Sequence, residues 1–419
     1  MKNKLLLLLL IYSIKSFGQW TTLPVPSINP GRFDDIFFIN DSVGWTAAGN
    51  QNQIYKTTDG GASWKLQFTS GKYMRCIEFT TPLVGFCGSL DSSFYKTTDG
   101  GVTWKDIANT ITPKPPGICG LSAPTVNVIY GCGIWSSPAY VIKSVDGGNT
   151  WTSIDLSTLA SKLVDIHFIN ADTGFVSGTA SNYLEGGIIL YTADGGKTWS
   201  IKHKTLIKGD YIWKMQTPDG KHYYGSVEAN VFADNTRFVE SKDGGMTWNT
   251  KKIKGGYNYI QAIGFIDSLT GWIGGNSLLL QTTDGGLNWD TITVGSTYNR
   301  FLKMNDSTAF LTGNKIYKYK KRKPDGIIDL APFDDIHSLI VSPNPTSSIL
   351  NIEMDIHNRT RCQLMLLSAE GKLLQMVYDG TIEKGAKKYS ISVAHFPAQT
   401  LLIVLHTNEG VISKKVVRN

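Results

Sequence analysis

The chain has 419 residues, a net charge of +7 and 43 glycines. This length predicts more than one domain, and so much glycine is typical of a β protein rich in turns. The charge is too small for this length to indicate nucleic-acid binding, so we expect no nucleic-acid partner.

Residues 1–18 have a basic start, about ten apolar residues and then the small residues Ser16 and Gly18. This pattern predicts a secretory signal peptide cleaved before Gln19. The apolar run is too short to remain as a membrane anchor, and no other segment is apolar enough to cross a bilayer. We therefore expect export into the periplasm and no transmembrane segment.

One short motif, Ser/Thr-x-Asp-Gly-Gly-x-Thr/Ser/Asn-Trp, occurs six times from residue 57 to residue 289. Its copies are 40, 47, 48, 49 and 41 residues apart. A period of this size matches one four-stranded blade of a β-propeller. The repeated aspartates are Asp59, Asp99, Asp146, Asp194, Asp243 and Asp284.

A second pattern keeps step with the first and occurs seven times: an apolar run, a polar turn, and a run that begins with glycine and an aromatic residue. Each copy predicts a hairpin of two strands. The seventh hairpin is followed by "KIYKYKKR" but by no aspartate motif, whereas "QWTTLPVP" from Gln19 resembles the strands that follow the motifs. We therefore predict a seven-bladed β-propeller over residues 19–320, closed by the strand at Trp20.

The motif itself is explained by turn formation. Two glycines supply positive φ angles, and the aspartate and the Ser/Thr two residues before it can accept hydrogen bonds from the turn. An EF-hand needs several carboxylates at alternate positions, whereas each copy has one. We predict structural aspartates, no metal and no cofactor.

These residues resemble the Asp-box of the BNR repeat, found in sialidases and sortilin-type receptors. Together with the hairpins they look most like the propeller of photosystem II assembly factors, over roughly residues 19–320. The resemblance implies a propeller fold and leaves the function open, because one fold hosts many functions.

Four of the five cysteines flank two neighbouring hairpins, Cys76 with Cys87 and Cys119 with Cys132. In an oxidising compartment each pair could be a disulfide or two buried thiols, and both alternatives are kept. Cys362 stands alone.

The loops that lead into the inner strands are rich in tyrosine, tryptophan and arginine, the residues enriched at binding hot spots. We predict that they surround the channel mouth and bind a protein or glycan, although packing between blades would also explain the aromatic residues. The candidates are Arg32, Tyr73, Arg75, Tyr211, Trp213, Tyr259, Gln261, Tyr298 and Arg300.

The alternative function is a glycoside hydrolase of the sialidase or xyloglucanase type. The chain lacks the Phe/Tyr-Arg-Ile-Pro start of sialidases, and it has one predicted propeller where xyloglucanases use two. Asp34 and Asp165 near the start of two inner strands form a conceivable carboxylate pair. We favour a binding protein without catalytic residues.

After residue 320 the composition changes. Residues 321–337 contain basic residues, prolines and acidic residues, which predict a linker. Residues 338–419 alternate in the manner of a small β-sandwich. "SPNPTSS", "SAEGKLL" and "GVISKKVVRN" resemble the type A sorting domain of the type IX secretion system, with a departure at "FPAQTLLIV". The resemblance implies a Bacteroidota cell, the type IX machinery as a partner, and release or attachment at the cell surface.

Overall fold

The computed structural model describes residues 19–26, 28, 31–133, 138–229, 235–255, 259–321, 336–369, 372–407 and 411–419. The predicted signal peptide and residues 322–335 of the predicted linker lie outside this part of the chain. The described residues separate into two compact units, one of which is Gln19–Lys321.

Seven four-stranded antiparallel sheets make up the first unit, and each sheet runs from an inner strand to an outer one. The first four blades consist of β2 Phe33–Phe38, β3 Gly44–Ala48, β4 Gln53–Thr57 and β5 Lys65–Thr69; β6 Met74–Phe79, β7 Gly85–Ser89, β8 Phe94–Thr97 and β9 Lys105–Asp106; β10 Gly120–Ser122, β11 Ile129–Gly133, β12 Tyr140–Ser144 and β13 Thr152–Asp155; β14 Ala160–Phe168, β15 Gly174–Ala180, β16 Gly187–Thr192 and β17 Ser200–Lys204.

The last three blades complete the ring. They consist of β18 Asp210–Gln216, β19 Tyr223–Ala229, β20 Asn235–Ser241 and β21 Asn249–Lys254; β22 Ile260–Phe265, β23 Gly271–Gly275, β24 Leu278–Thr282 and β25 Asp290–Thr291; β26 Tyr298–Asn305, β27 Thr308–Gly313, β28 Ile316–Lys320 and β1 Gln19–Thr22. Short 3-10 turns lie at Ala108–Thr110 and Tyr183–Glu185. The predicted seven-bladed propeller is confirmed.

Closure of the ring occurs as the sequence predicts. Trp20 of β1 pairs with Tyr319 of β28, and its indole lies edge-on to Trp272 of blade 6 at 5.2 Å between ring centroids. The first strand therefore completes the last sheet and buries aromatic surface against the neighbouring blade, which removes the open edge.

Burial along each blade follows the order of the strands. All five residues of β3 are buried, whereas β5 on the rim is mostly exposed. Inner strands are covered on both faces by neighbouring blades, so β2 is buried at five of its six positions although it contains two aspartates.

Each Asp-box folds into the same hydrogen-bonded turn. In blade 2, Asp99 accepts the hydroxyl of Thr97 at 2.8 Å and the backbone N–H and hydroxyl of Thr103 at 2.9 and 2.5 Å. The hydrogen bonds from Thr103 lower the pKa of Asp99 to about 2. Gly100 and Gly101 take φ angles of 73° and 92°, which disfavour any residue with a side chain.

Lysine side chains connect four pairs of neighbouring blades at these turns. Each lysine lies in the third strand of one blade and donates to a glycine carbonyl in the Asp-box of the next. The contacts are Lys318 to Gly60 at 2.8 Å, Lys56 to Gly100 at 3.0 Å, Lys96 to Gly147 at 3.0 Å and Lys143 to Gly195 at 2.8 Å. The Asp-box thus joins blades as well as strands.

Cys76 and Cys87 lie on opposite faces of blade 2. In the register of β6 and β7, Cys87 is opposite Ile77 and Cys76 is opposite Gly88. Because neighbouring residues of a strand point to opposite faces, this register excludes a Cys76–Cys87 disulfide. Burial raises the pKa of both thiols. In blade 3, the N–H of Cys119 donates to the carbonyl of Cys132 at 2.6 Å, and both residues are buried thiols.

The second unit is a two-sheet β-sandwich. One sheet has the order β29 Ile336–Ser342, β30 Ile349–Ile356 and β33 Gly385–Ser392; the other has β32 Leu373–Ile382, β31 Thr360–Ser368, β34 Gln399–Thr407 and β35 Val411–Arg418. Alternate residues of β30, Leu350, Ile352 and Met354, enter a core that also contains Cys362. This alternation is the one predicted for a sandwich with two solvated outer faces.

Candidate functional site

Six of the seven inner strands carry a β-bulge near the start of the strand. The register shifts between Phe33 and Asp35, Met74 and Cys76, Leu163 and Asp165, Ile212 and Met215, Ile260 and Ala262, and Tyr298 and Arg300. A bulge re-aims side chains next to the extra residue. Residues from non-adjacent blades consequently meet across the channel in two layers.

We call the layer nearer the strand starts the plug; it consists of Asp34, Arg75, Val164, Trp213, Gln261 and Asn299, all of them buried. Arg75 forms an ion pair with Asp34, and its guanidinium lies 5.4 Å from the ring centre of Trp213. Asp34 also accepts from Arg32 and from the Tyr73 hydroxyl, each at 3.0 Å. These contacts close the channel at the face where the inner strands begin, which we call the top face.

Charge pairing holds the plug together in a dry environment. Burial alone would lower the pKa of Arg75, but Asp34 raises it above its ordinary value. The Nε and Nη2 atoms of Arg75 have no hydrogen-bond partner among the described residues. Removal of Asp34 would therefore leave the buried positive charge of Arg75 without a counter-ion.

The second layer lines a cavity of about 240 Å³ deeper in the channel. Arg300 Nε lies 3.2 Å from Asp35, its Nη1 lies 3.4 Å from both oxygens of Asp165, and Lys214 lies 3.3 Å from Asp165. Glu78 and His167 also face this space. The lining comes from the later parts of the inner strands, so the cavity belongs to the opposite end of the channel, which we call the bottom face and which also carries the Asp-box turns.

The cavity changes the ionisation of its acidic groups in different directions. Burial, with a contribution from Asp35, raises the pKa of Glu78 to about 8. Burial would also raise the pKa of Asp165, but Lys214 and Arg300 hold it below its usual value. Burial lowers the pKa of His167. At neutral pH the favoured forms are therefore protonated Glu78, ionised Asp165 and neutral His167.

The nine predicted binding residues do not form one surface. Arg75, Trp213 and Gln261 belong to the plug, Arg300 lines the cavity, and Tyr211 and Tyr298 are buried between blades. Arg32 and Tyr73 are partly exposed beside the plug, and Tyr259 is 52% exposed. The placement of Arg75 and Arg300 at an open mouth is therefore corrected: Arg75 lies inside β6 with no exposed surface, and Arg300 lies in the layer below the plug.

The proposed carboxylate pair is also separated between layers. Asp34 lies in the plug against Arg32 and Arg75, whereas Asp165 lies in the cavity layer against Lys214 and Arg300. Both carboxylates are bound by cations, and only Asp165 lines the cavity. Among the described residues, no group of three or more His, Cys, Asp or Glu side chains is arranged to hold a metal ion.

Two large side chains on the top face combine exposure with an unfavourable backbone. Leu206 is 73% exposed at a φ of 57°, and Tyr259 is 52% exposed at a φ of 57°. The N–H of Leu206 donates to the carbonyl of Glu185 at 3.0 Å, which places it beside the exposed Tyr183 and Leu184. Tyr183, Leu184 and Leu206 were not among the residues predicted from the sequence. Their presence in otherwise polar loops was the feature of the sequence that could have indicated them.

Comparison with known proteins addresses both units. Residues 341–419 match the family model of the "Secretion system C-terminal sorting domain". The chain carries a secretion-system sorting domain. The protein is therefore exported, to the cell surface or into the medium, and the sorting domain is recognised by the type IX machinery. Among the described residues, no helix has the length and apolarity needed to span a membrane.

The propeller resembles YCF48. Residues 223–299 match the family model of "Photosynthesis system II assembly factor YCF48". A solved structure of "YCF48 bound to D1 peptide" is 18% identical, with a TM-score of 0.55 over 73% of this chain and 97% of that one. YCF48 from Cyanidioschyzon merolae is 16% identical, with a TM-score of 0.56 over 74% and 99% of the two chains. At these identities the likeness shows the fold.

An enzyme also has a similar fold. A GH74 xyloglucanase from Xanthomonas campestris is 10% identical, with a TM-score of 0.50 over 81% of this chain and 59% of that one. This chain thus spans less than two thirds of the xyloglucanase. No curated protein matches the chain.

Proposed function

We propose that the exported propeller is a binding protein without catalytic activity and that it binds a protein partner through its top face. The observation that carries the proposal is Leu206, a large apolar side chain that is mostly exposed in a left-handed conformation. Such a conformation is unfavourable by roughly 1–2 kcal/mol for a residue with a side chain. Backbone strain clusters at functional sites, and Leu206 lies with the exposed Tyr183 and Leu184 in one apolar patch of the kind that marks interaction surfaces.

The shape of the top face supports a macromolecular partner. In the part of the chain that the structure describes, the buried plug fills the channel where the inner strands begin, and exposed apolar groups lie outside it on the loops of blades 4 and 5. Shallow surfaces with protruding aromatic and aliphatic groups suit protein interfaces, whereas small ligands occupy concave pockets. A peptide is the ligand named for the similar YCF48 structure.

Charge on the same surface favours an acidic partner. Lys208 is exposed and lies 5.9 Å from the ring centre of Tyr183, and Lys162 lies 5.0 Å from that of Tyr211. The neighbouring Glu185 forms an ion pair with Lys204 at 2.6 Å. A partner segment with carboxylates and apolar side chains would complement this surface.

Leu206→Gly tests the proposal. Glycine adopts the positive φ without strain, so the melting temperature should stay unchanged or rise, while recovery of the partner by cross-linking on the cell surface should fall several-fold. Leu287→Gly is the matched control, because Leu287 is 82% exposed at an Asp-box turn on the bottom face. Equal recovery with both variants would contradict the proposal.

The glycosidase alternative is tested separately. We expect no turnover of xyloglucan or sialosides by the exported protein, since both candidate aspartates are held by cations in different layers of the channel. Turnover that disappears in Asp165→Asn, with the melting temperature retained, would replace the binding function with a hydrolytic one.

A further inference from the structure

The cavity below the plug is a separate candidate site. It is lined by Asp35, Glu78, Ser122, Asp165, His167 and Arg300, with Phe37 and Leu302 as apolar neighbours. Glu78, His167 and Leu302 are partly exposed, whereas the plug residues are buried. Water and small solutes therefore reach this cavity from the bottom face, and the top-face surface takes no part in it.

Fixed charges in the cavity cancel. Asp35 forms an ion pair with Arg300, and Asp165 forms ion pairs with Arg300 and Lys214. The second oxygen of each acid is also occupied: Asp35 accepts the N–H of Ile77 at 3.0 Å, and Asp165 accepts that of Met215 at 2.8 Å. Because each carboxylate already faces a cation and a backbone N–H, a charged ligand would introduce a charge with no free counter-ion in a partly desolvated space, which is unfavourable.

Hydrogen-bonding capacity nevertheless remains. The side chain of Arg300 is 23% exposed and contacts its two acids at 3.2–3.4 Å, longer than the usual hydrogen-bond distance of about 2.9 Å. A protonated Glu78 both donates and accepts, and Ser122, which accepts the N–H of Phe168 at 2.9 Å, keeps a hydroxyl to donate. Donors and acceptors therefore lie side by side around the cavity.

Hydroxyl groups match this arrangement because each both donates and accepts one or more hydrogen bonds. Phe37 and Leu302 offer apolar surface for carbon-bound hydrogens on the ligand. We propose that the channel cavity binds a neutral, polyhydroxylated small ligand, a monosaccharide either free or at the end of a glycan, from the bottom face. This site is independent of the proposed protein interface.

Titration of the exported protein with neutral hexoses tests the site. Glucose, galactose and mannose are the neutral probes, glucuronate and glucosamine are the charged ones, and an oligosaccharide of the best hexose distinguishes a glycan end from a free sugar. Ligand-observed NMR gives the affinity of each. We expect at least one hexose or its oligosaccharide to bind, and its charged analogues to bind at least tenfold more weakly.

Glu78→Leu is the variant for this experiment, since it replaces a side chain that is neutral in the fold with an apolar one of similar size. It should abolish sugar binding without lowering the melting temperature, whereas Leu206→Gly on the top face should bind sugar normally. Binding of a charged sugar as tightly as the neutral one, unchanged binding by Glu78→Leu, or no binding of any hexose or oligosaccharide would overturn the proposal. Failure of Leu206→Gly to reduce partner recovery would contradict only the proposed protein interface.

Discussion

Replacing Arg75 by alanine is expected to destabilise the propeller strongly. The side chains of Arg75 and Asp34 both have no exposed surface, so the substitution leaves a buried carboxylate without its main counter-ion. Breaking a buried ion pair in this way typically costs about 3–5 kcal/mol. For a domain of this size each kcal/mol lowers the melting temperature by roughly 2–4 °C, so a fall of about 10 °C is expected.

Arg32 supplies the matched control. It contacts the same oxygen of Asp34 at 3.0 Å, but its side chain is 28% exposed. A partly solvated pair contributes about 1 kcal/mol or less, so Arg32→Ala should change the melting temperature little. The assay is thermal and urea unfolding of both variants beside the unmodified protein.

A double replacement separates charge from packing. Asp34→Leu with Arg75→Met removes both charges, and exchanging a buried pair for apolar residues is often neutral. We expect the double variant to be more stable than Arg75→Ala. The reasoning fails if Arg75→Ala and Arg32→Ala lose equal stability, or if Arg75→Ala loses less than about 1 kcal/mol.

Further predictions address other parts of the chain. Trp20→Ala should lower the melting temperature markedly, because a Trp→Ala change in a packed cluster costs roughly 3–5 kcal/mol when fully buried and less for this partly buried ring; an unchanged melting temperature would contradict closure by β1. Asp99→Ala should lower the melting temperature and leave partner and sugar binding intact, while lost binding at full stability would make the Asp-box a site. The pKa of Glu78 rises from 4.5 in the unfolded chain to about 8 in the fold. The folded state is therefore most stable at low pH, where Glu78 is protonated, and it loses stability as the pH rises from 4.5 to about 8. Glu78→Gln should remove at most about 4 kcal/mol of that pH dependence between pH 5 and pH 9, measured by urea unfolding at the two pH values; parallel pH profiles would contradict the buried acid. Mass spectrometry of surface and medium fractions should find a mature form that begins at Gln19 and ends near residues 321–337, and a full-length chain to Asn419 outside the cell would contradict processing.

The sequence by itself determined the architecture. The repeat length of 40–49 residues gave the size of one blade, and the seven hairpins gave the number of blades. Such a repeat predicts a closed ring because each unit must bury its apolar faces against its neighbours. The Asp-box could be assigned to a turn for a similar reason: its hydrogen bonds join residues no more than four positions apart, as those of Asp99 with Thr97 and Thr103 do. Interactions between residues so close in the chain can be recognised from a short stretch of sequence.

The two channel layers were decided only by the tertiary structure. Arg300 of blade 7 meets Asp165 of blade 4 across 135 positions of sequence, and no local pattern links them. A one-residue bulge before Asp35, Cys76 and Arg300 sets which side chains face the channel, and period-two alternation cannot reveal such a shift. For the same reason Arg75 appeared to be a loop residue at an open mouth, although the fold places it in a strand, against Asp34, where water does not reach.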